Sequence, residues 1–324
     1  MNTLNSKNDG ILLQSGNNEV EFIEFNVGGV NYGINVAKVE RVLARPTVTI
    51  TRMDNDGTAM LGTIYVQDMP IQLIDLRHAL EMDPLPEEER VDENRQLILV
   101  TKFYKMTTSF LIDKVNKIHR TSWAEFEPID ASMTGDVLSS YVTGTIKIDN
   151  RVIVILDLEH LMLEFAPEMA TKLEAVTIDE PCELTELRGK LKIIYAEDSG
   201  VIRKMMLNTL KSGGYTNVIA FEHGRSAYEY ILELNQRFQS EGGKLSDYIG
   251  CIITDIEMPQ MDGLTLCKNI KDMNFGDSIP SVVVYSSLIN ESMTKKCESV
   301  GADAQVSKPH GTDIIDVLDR LCLK

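Results

Sequence analysis

Apolar runs in this sequence are short: stretches such as residues 152–156 (VIVIL) fall far below the roughly 20 residues a membrane-spanning helix needs. Basic charge is also scarce, with 32 Lys and Arg against 49 Asp and Glu and a formal net charge of -17. A surface field of that sign repels phosphate backbones and anionic headgroups, which argues against nucleic acid as a partner and leaves membrane association to other proteins. The five cysteines, Cys182, Cys251, Cys267, Cys297 and Cys322, are odd in number and show no CxxC spacing. A disulfide framework is therefore not expected, and a reducing cytoplasm suits them better. The five histidines are scattered without metal-ligand spacing, which argues against a zinc site. The polar start MNTLNSKNDG does not read as a signal peptide. Trp123, the one tryptophan, is expected in a core or at a domain contact.

What is present is a composition of soluble globular type, 43% hydrophobic and 25% charged, over 324 residues, long enough for two or three cores and best divided into two. In the first half, EFIEFNV (21–27), QLILVTKF (96–103), TSFLIDKV (108–115) and RVIVIL (151–156) read as strands, punctuated by Gly28-Gly29 and Asp149-Asn150. Segments 35–43 and 158–165 have the spacing of short amphipathic helices. An internal echo runs through this half: GTIYVQDMPIQLIDLRHAL (62–80) and GTIKIDNRVIVILDLEHLM (144–162) align without gaps. Each copy predicts a hairpin closed by a short helix, and the pair predicts a mostly β unit of two small barrels.

Residues 166–189 are rich in Glu and Asp and carry Pro167 and Pro181, so they read as an acidic linker, with a partly helical extension as the alternative. From Leu191 onward the period changes. Strands LKIIYA (191–196), VIAF (218–221), CIITDI (251–256), SVVVYS (281–286) and AQVSK (304–308) alternate with helical segments near 200–211, 225–238, 263–273, 290–299 and 312–322. Five such βα units predict a doubly wound α/β domain on a five-stranded parallel sheet, with its chemistry beyond the carboxyl ends of the strands.

The residues at those ends form a specific set. The first strand ends in Glu197-Asp198, the third in Asp255, the fourth in Ser286-Ser287 and the fifth in Lys308-Pro309. Carboxylates converging in one crevice repel one another unless a cation lies among them, and a few oxygen ligands with room for water suit Mg²⁺. Asp255 is then the candidate nucleophile for a phosphoryl group, with Lys308 and the Ser286 hydroxyl placed to contact phosphoryl oxygens.

Residues 190–324, with TDIEMPQMDG (254–263) and VSKP (306–309), resemble the receiver domains of two-component response regulators. The resemblance implies that Asp255 is the phosphoacceptor, that Glu197, Asp198 and the Glu257 backbone carbonyl help hold Mg²⁺, and that the Lys308-Pro309 bond is cis. Two positions depart from the usual pattern: the acidic pair is Glu-Asp rather than Asp-Asp, and Gln305 stands where receivers commonly carry an aromatic switch residue. Residues 20–165, opening with EFIEFNVGGVNYGINVAKVERVL (21–43), resemble CheW-like coupling domains, although Tyr65-Val66-Gln67-Asp68 replaces an Asn-Leu-Arg-Gly stretch often found there. The whole order, an N-terminal segment (1–19), coupling domain (20–165), linker (166–189) and receiver (190–324), is similar to the CheV-type chemotaxis coupling proteins.

That resemblance implies a cytoplasmic adaptor, not an enzyme, which joins chemoreceptors to the histidine kinase CheA and takes phosphate from it. Val39 and Val42, on one face of the expected first helix, are candidate partner contacts. A receiver acting only as a phosphate sink is the alternative, and an aspartyl-nucleophile phosphatase using Glu257 as its acid is a third reading.

Overall fold

The computed structural model describes residue 16 and residues 18–52, 58–84, 86–103, 106–128, 141–165, 184–276, 278–308 and 311–323. The expected N-terminal segment to residue 15, the linker from 166 to 183, Cys182 and the Lys308-Pro309 bond lie outside them.

Alternation of apolar and polar residues produces eleven strands in the described part of the first domain: β1 (Glu19–Val27), β2 (Val30–Asn35), β3 (Val39–Ala44), β4 (Ile50–Arg52), β5 (Met60–Val66), β6 (Met69–Asp75), β7 (Leu97–Phe103), β8 (Met106–Ile112), β9 (Lys114–Ser122), β10 (Val142–Ile148) and β11 (Arg151–Leu156). They form a five-stranded sheet in the order β10-β11-β2-β1-β9 and a six-stranded sheet in the order β3-β7-β8-β6-β5-β4. The two small barrels expected from the echo are thus two sheets. Phe25 and Tyr32 from one and Leu99 and Phe110 from the other share a single buried core.

The echo is structural. In each copy a hairpin, β5–β6 or β10–β11, turns on two residues with positive φ, Gln67-Asp68 at 49° and 64° and Asp149-Asn150 at 48° and 61°. Paired left-handed residues match the twist of the flanking strands, which makes them the favoured two-residue hairpin turn. A helix follows each time, α1 (Leu76–Ala79) or α2 (Leu158–Phe165). The preceding aspartate caps it, Asp75 accepting from the Arg77 and His78 N–H groups and Asp157 from that of His160. Each return strand also pairs in parallel with a strand from elsewhere, β6 with β8 and β11 with β2.

Two local expectations are corrected. Segment 35–43 is not a helix: Asn35 caps a single turn at Val36–Lys38, and the chain then continues as β3, paired along its length with β7. Burial alternates along β3, with Val39, Arg41 and Leu43 half-buried and Glu40, Val42 and Ala44 exposed, and its two β-branched valines suit the pleated strand. Val39 and Val42 therefore do not share a helical face; Val39 packs against the core, whereas Val42 is 38% exposed. TSFLIDKV is two strands, because Asp113 leaves the ladder to bond β1 and its turn, its N–H donating to the Asn26 carbonyl and its carboxylate accepting from Gly28 N–H at 2.7 Å.

In the second domain the expected βα alternation is found. Strands β12 (Ile193–Ala196), β13 (Val218–Phe221), β14 (Cys251–Thr254), β15 (Ser281–Ser286) and β16 (Ala304–Ser307) pair in parallel in the order β13-β12-β14-β15-β16. Helices α4 (Gly200–Ser212), α5 (Gly224–Glu241), α6 (Gly263–Lys271), α7 (Glu291–Ser299) and α8 (Gly311–Cys322) follow the successive strands. Separate apolar clusters fill the two faces of the sheet. Within the last residues of the expected linker, Thr185–Lys190 form a helix, here α3, which belongs to this domain: buried Arg188 donates to both carboxylate oxygens of Asp319 and to the Gly213 carbonyl.

Candidate functional site

The order of the parallel strands reverses at β12, with β13 laid on one side of it and β14 on the other, and that opens a crevice at the carboxyl ends of β12 and β14. Glu197 and Asp198 follow β12 and Asp255 follows β14, so the expected acidic residues converge. Their nearest carboxylate oxygens all lie within 4.8 Å of one another. The Lys308 ammonium enters from the end of β16, at 2.8 Å from Glu197 and 3.1 Å from Asp255.

Local sequence explains how Asp255 is held. The other Asp255 oxygen accepts the Ile256 N–H at 2.7 Å, and Thr254 donates its hydroxyl to the Asp255 carbonyl at 2.9 Å. Asp262 caps α6 by accepting from the Thr265 N–H at 2.9 Å. At Gly263 the helix begins so close to β14 that an added Cβ would sit 1.7 Å from the Asp255 carbonyl oxygen, so only glycine fits there. Ser286 is fully buried at the end of β15, where its hydroxyl oxygen accepts a 3.4 Å bond from the Leu288 N–H. Gln305 is half-buried on β16.

Electrostatics follow from burial and crowding. Glu197 is pushed up to about 8 by burial, which the Lys308 charge partly opposes and the Asp255 charge reinforces. Burial, then Glu197 and Asp255, also raise Asp198. For Lys308, burial would lower the ammonium, but Asp255 and Glu197 outweigh it and hold the group well above the usual lysine value. Three oxygen donors from adjacent strand ends, two of them carrying protons too firmly for their type, form a donor set that fits a small hard dication. Lys308 brings one positive charge against Glu197 and Asp255.

The structure brings Glu197, Asp198, Asp255 and Lys308 together as the sequence reading required. The Glu257 side chain goes elsewhere, accepting from Asn35 Nδ2 at 2.6 Å and pairing with Lys38 at 2.8 Å, both in the first domain. Lys38 also pairs with Glu159 of α2 at 2.9 Å, and Ser287 donates to the same Glu159 oxygen at 2.8 Å. Ser287 stood at its strand end in the sequence reading, whereas Asn35, Lys38 and Glu159 were missed as neighbours of the site. No local pattern marks them, since their positions depend on how two domains meet. Trp123 meets its expectation in both forms, buried against Phe126 and accepting the Gln260 N–H through its carbonyl at 2.8 Å.

Residues 21–165 match the CheW-like domain family, and residues 193–319 match the response regulator receiver domain family. Over most of its length the chain is similar to chemotaxis protein CheV3 of Helicobacter pylori, 28% identical over 302 residues that cover 90% of each chain. Chemotaxis protein CheV1 of the same organism is 25% identical over 314 residues, 92% of each chain. The first domain is also similar to a probable chemotaxis protein CheW of Rhizobium etli, 26% identical over 150 residues that cover 46% of this chain and 92% of that one.

Proposed function

Because the chain is a CheV-type protein, a CheW-like domain joined to a response regulator receiver domain, we propose that it is a cytoplasmic chemotaxis adaptor, linking chemoreceptors to the histidine kinase CheA and regulated by phosphorylation of Asp255. The carrying observation is the buried carboxylate crevice at the ends of β12 and β14, with the Lys308 ammonium set between Glu197 and Asp255. One Asp255 carboxylate oxygen attacks the phosphorus of a phosphohistidine on the donor. The new O–P bond forms as the P–N bond breaks, and the imidazole leaves with the electron pair and takes up a proton from solvent. Lys308 moves its charge onto one phosphoryl oxygen, and the Ser286 hydroxyl turns from its local bond to donate to another. Glu197, Asp198, Asp255 and the Glu257 carbonyl would hold Mg²⁺, which supplies positive charge against the phosphoryl oxygens.

Of the two valines singled out for partner contact, Val42 has the exposure such a role needs. Gln305, which cannot act as an aromatic reporter, favours one second reading, in which the receiver drains phosphate from the kinase and leaves the adaptor unchanged. The experiment is phosphotransfer from purified CheA with Mg²⁺, followed by mapping of the labelled residue. Label on Asp255, abolished in Asp255→Asn, supports the proposal; label elsewhere, or none, refutes it. Comparing kinase activity in receptor complexes with wild type and Asp255→Ala separates regulation from a sink.

A further inference from the structure

The mouth of the phosphoacceptor crevice is covered by the first domain. The space left between them, bounded by Asn35, Lys38 and Glu159 on one side and by Asp198, Asp255 and Lys308 on the other, has a volume of about 30 Å³. That is room for about one or two water molecules. A phosphoryl group carried on a histidine ring does not fit there, and Asp255 is only 6% exposed.

Charge holds this lid in place. Among the described residues lining the space, the first domain contributes one cation, Lys38, against Asp157 and Glu159. The receiver side contributes Lys308 against Glu197, Asp198, Asp255 and Glu257. Lys38 is the tie: it pairs with Glu159 of its own domain at 2.9 Å and with Glu257 of the receiver at 2.8 Å. Burial would depress its charge, but Glu159, Glu257 and Asp157 together raise it well above the ordinary lysine value, so the ammonium is fixed in the charged state. A second fastening lies further along the seam. Asn18 donates its backbone N–H to Thr265 Oγ1 at 2.9 Å and its side-chain NH₂ to the Gln260 carbonyl at 3.1 Å, and it accepts the Asp262 N–H at 2.8 Å. Asn18 and Gln260 both hold left-handed backbone there, φ 59° and 66°, which non-glycine residues adopt at a cost.

We propose that Lys38, bridging Glu159 and Glu257, latches the coupling domain over the phosphoacceptor crevice, so that domain docking and transfer of a phosphoryl group from a phosphohistidine protein to Asp255 exclude each other. The inference rests on the assignment of Asp255 as phosphoacceptor. It also supplies an output that does not use Gln305. Ser286, which must turn toward the phosphoryl group, is followed directly by Ser287, whose hydroxyl is bonded to Glu159 across the seam. Forming the Asp255 O–P bond at the expense of the donor's P–N bond adds anionic oxygens to a space already lined by six carboxyl groups and two ammonium groups, and the seam opens.

The test uses the full chain as wild type, Lys38→Met and Asn18→Gly. The second variant removes the Asn18 side-chain bonds to the Gln260 carbonyl and the Asp262 N–H and touches none of the charged groups of the crevice. Label from a phosphorylated histidine kinase is followed with time, and hydrogen exchange is measured at 35–38 and 257–262 with and without beryllofluoride. The latch requires both variants to take label about tenfold faster than wild type, within the 5- to 150-fold range of ordinary intersite coupling. It also requires both variants, and wild type with beryllofluoride, to lose protection at the seam. If Lys38 instead contacted the phosphoryl group, Lys38→Met would label more slowly, which overturns the latch. Equal rates in the three chains overturn it too, with the Asp255 assignment intact. Absence of label in every chain overturns both.

Discussion

Replacing Glu197 by glutamine should make the metal-free receiver more stable at neutral pH. In the folded protein this carboxyl keeps its proton up to about pH 8, whereas in the unfolded chain it ionises near 4.5. Between those values the folded state binds more protons, so the group's contribution to stability is full below 4.5 and is lost as pH rises toward 8. At about 1.4 kcal/mol for each pH unit, the loss accumulated from 4.5 to neutrality is about 3 kcal/mol. Glutamine imitates the protonated form at every pH. The variant should therefore match wild type near the lower value and exceed it by about 3 kcal/mol at neutral pH. Amide hydrogen exchange at Ile194 and Ile253, in β12 and β14, reads the opening free energy of this sheet apart from the coupling domain. Magnesium closes the gap: at 100 times its dissociation constant it adds about 2.7 kcal/mol to wild type, which brings the two chains nearly level, because Glu197→Gln, one ligand short, gains far less. A wild-type stability that stays flat as pH rises, or a variant no more stable than wild type without metal, would refute the argument.

Gly263→Ala should destabilise the receiver by about 3 kcal/mol in urea unfolding, because the new methyl group meets backbone that cannot swing aside. The same substitution should lower labelling of Asp255, whose carbonyl it displaces. Arg188→Met should cost about 3 kcal/mol by leaving Asp319 without its bidentate partner. Burial pushes the Asp319 carboxyl up, but hydrogen bonds from Arg188 and Tyr215 more than compensate and hold it below its ordinary 3.8. Its contribution is thus present above that value and lost as pH falls below it, so thermal melts of wild type and Asp319→Asn should converge in acid and separate toward neutrality. Melts that differ equally at all pH values would rule out the ion pair as the cause.

The receiver was largely legible because its information is local. Four of the five apolar strands end in a residue whose chemistry is useful at that place, and Asp255, Glu197, Asp198 and Lys308 lie together at those ends. Hairpin signals such as Asp149-Asn150 were equally readable, since two left-handed residues leave a chemical mark. Segment 35–43 was misread because Val39 and Val42, three residues apart, fit a helical stripe, and only pairing with β7 decides for a strand. Helix α3 was hidden because Arg188 draws its stability from Asp319, 131 residues away in the chain. The seam was invisible for the same reason: Lys38 and Asn18 look like ordinary surface residues until another domain arrives.

The nesting of the two coupling-domain sheets bears on synthesis. β3 to β8 are contiguous and complete their six-stranded sheet as soon as Ile112 has left the ribosome. β1 and β2 emerge before all of these, yet β1 waits for β9 and β2 for β11, so an apolar ribbon made first is sheltered last. A nascent chain halted between residues 112 and 156 therefore carries a finished half beside an open edge, the stage at which chaperone capture or misassociation should concentrate.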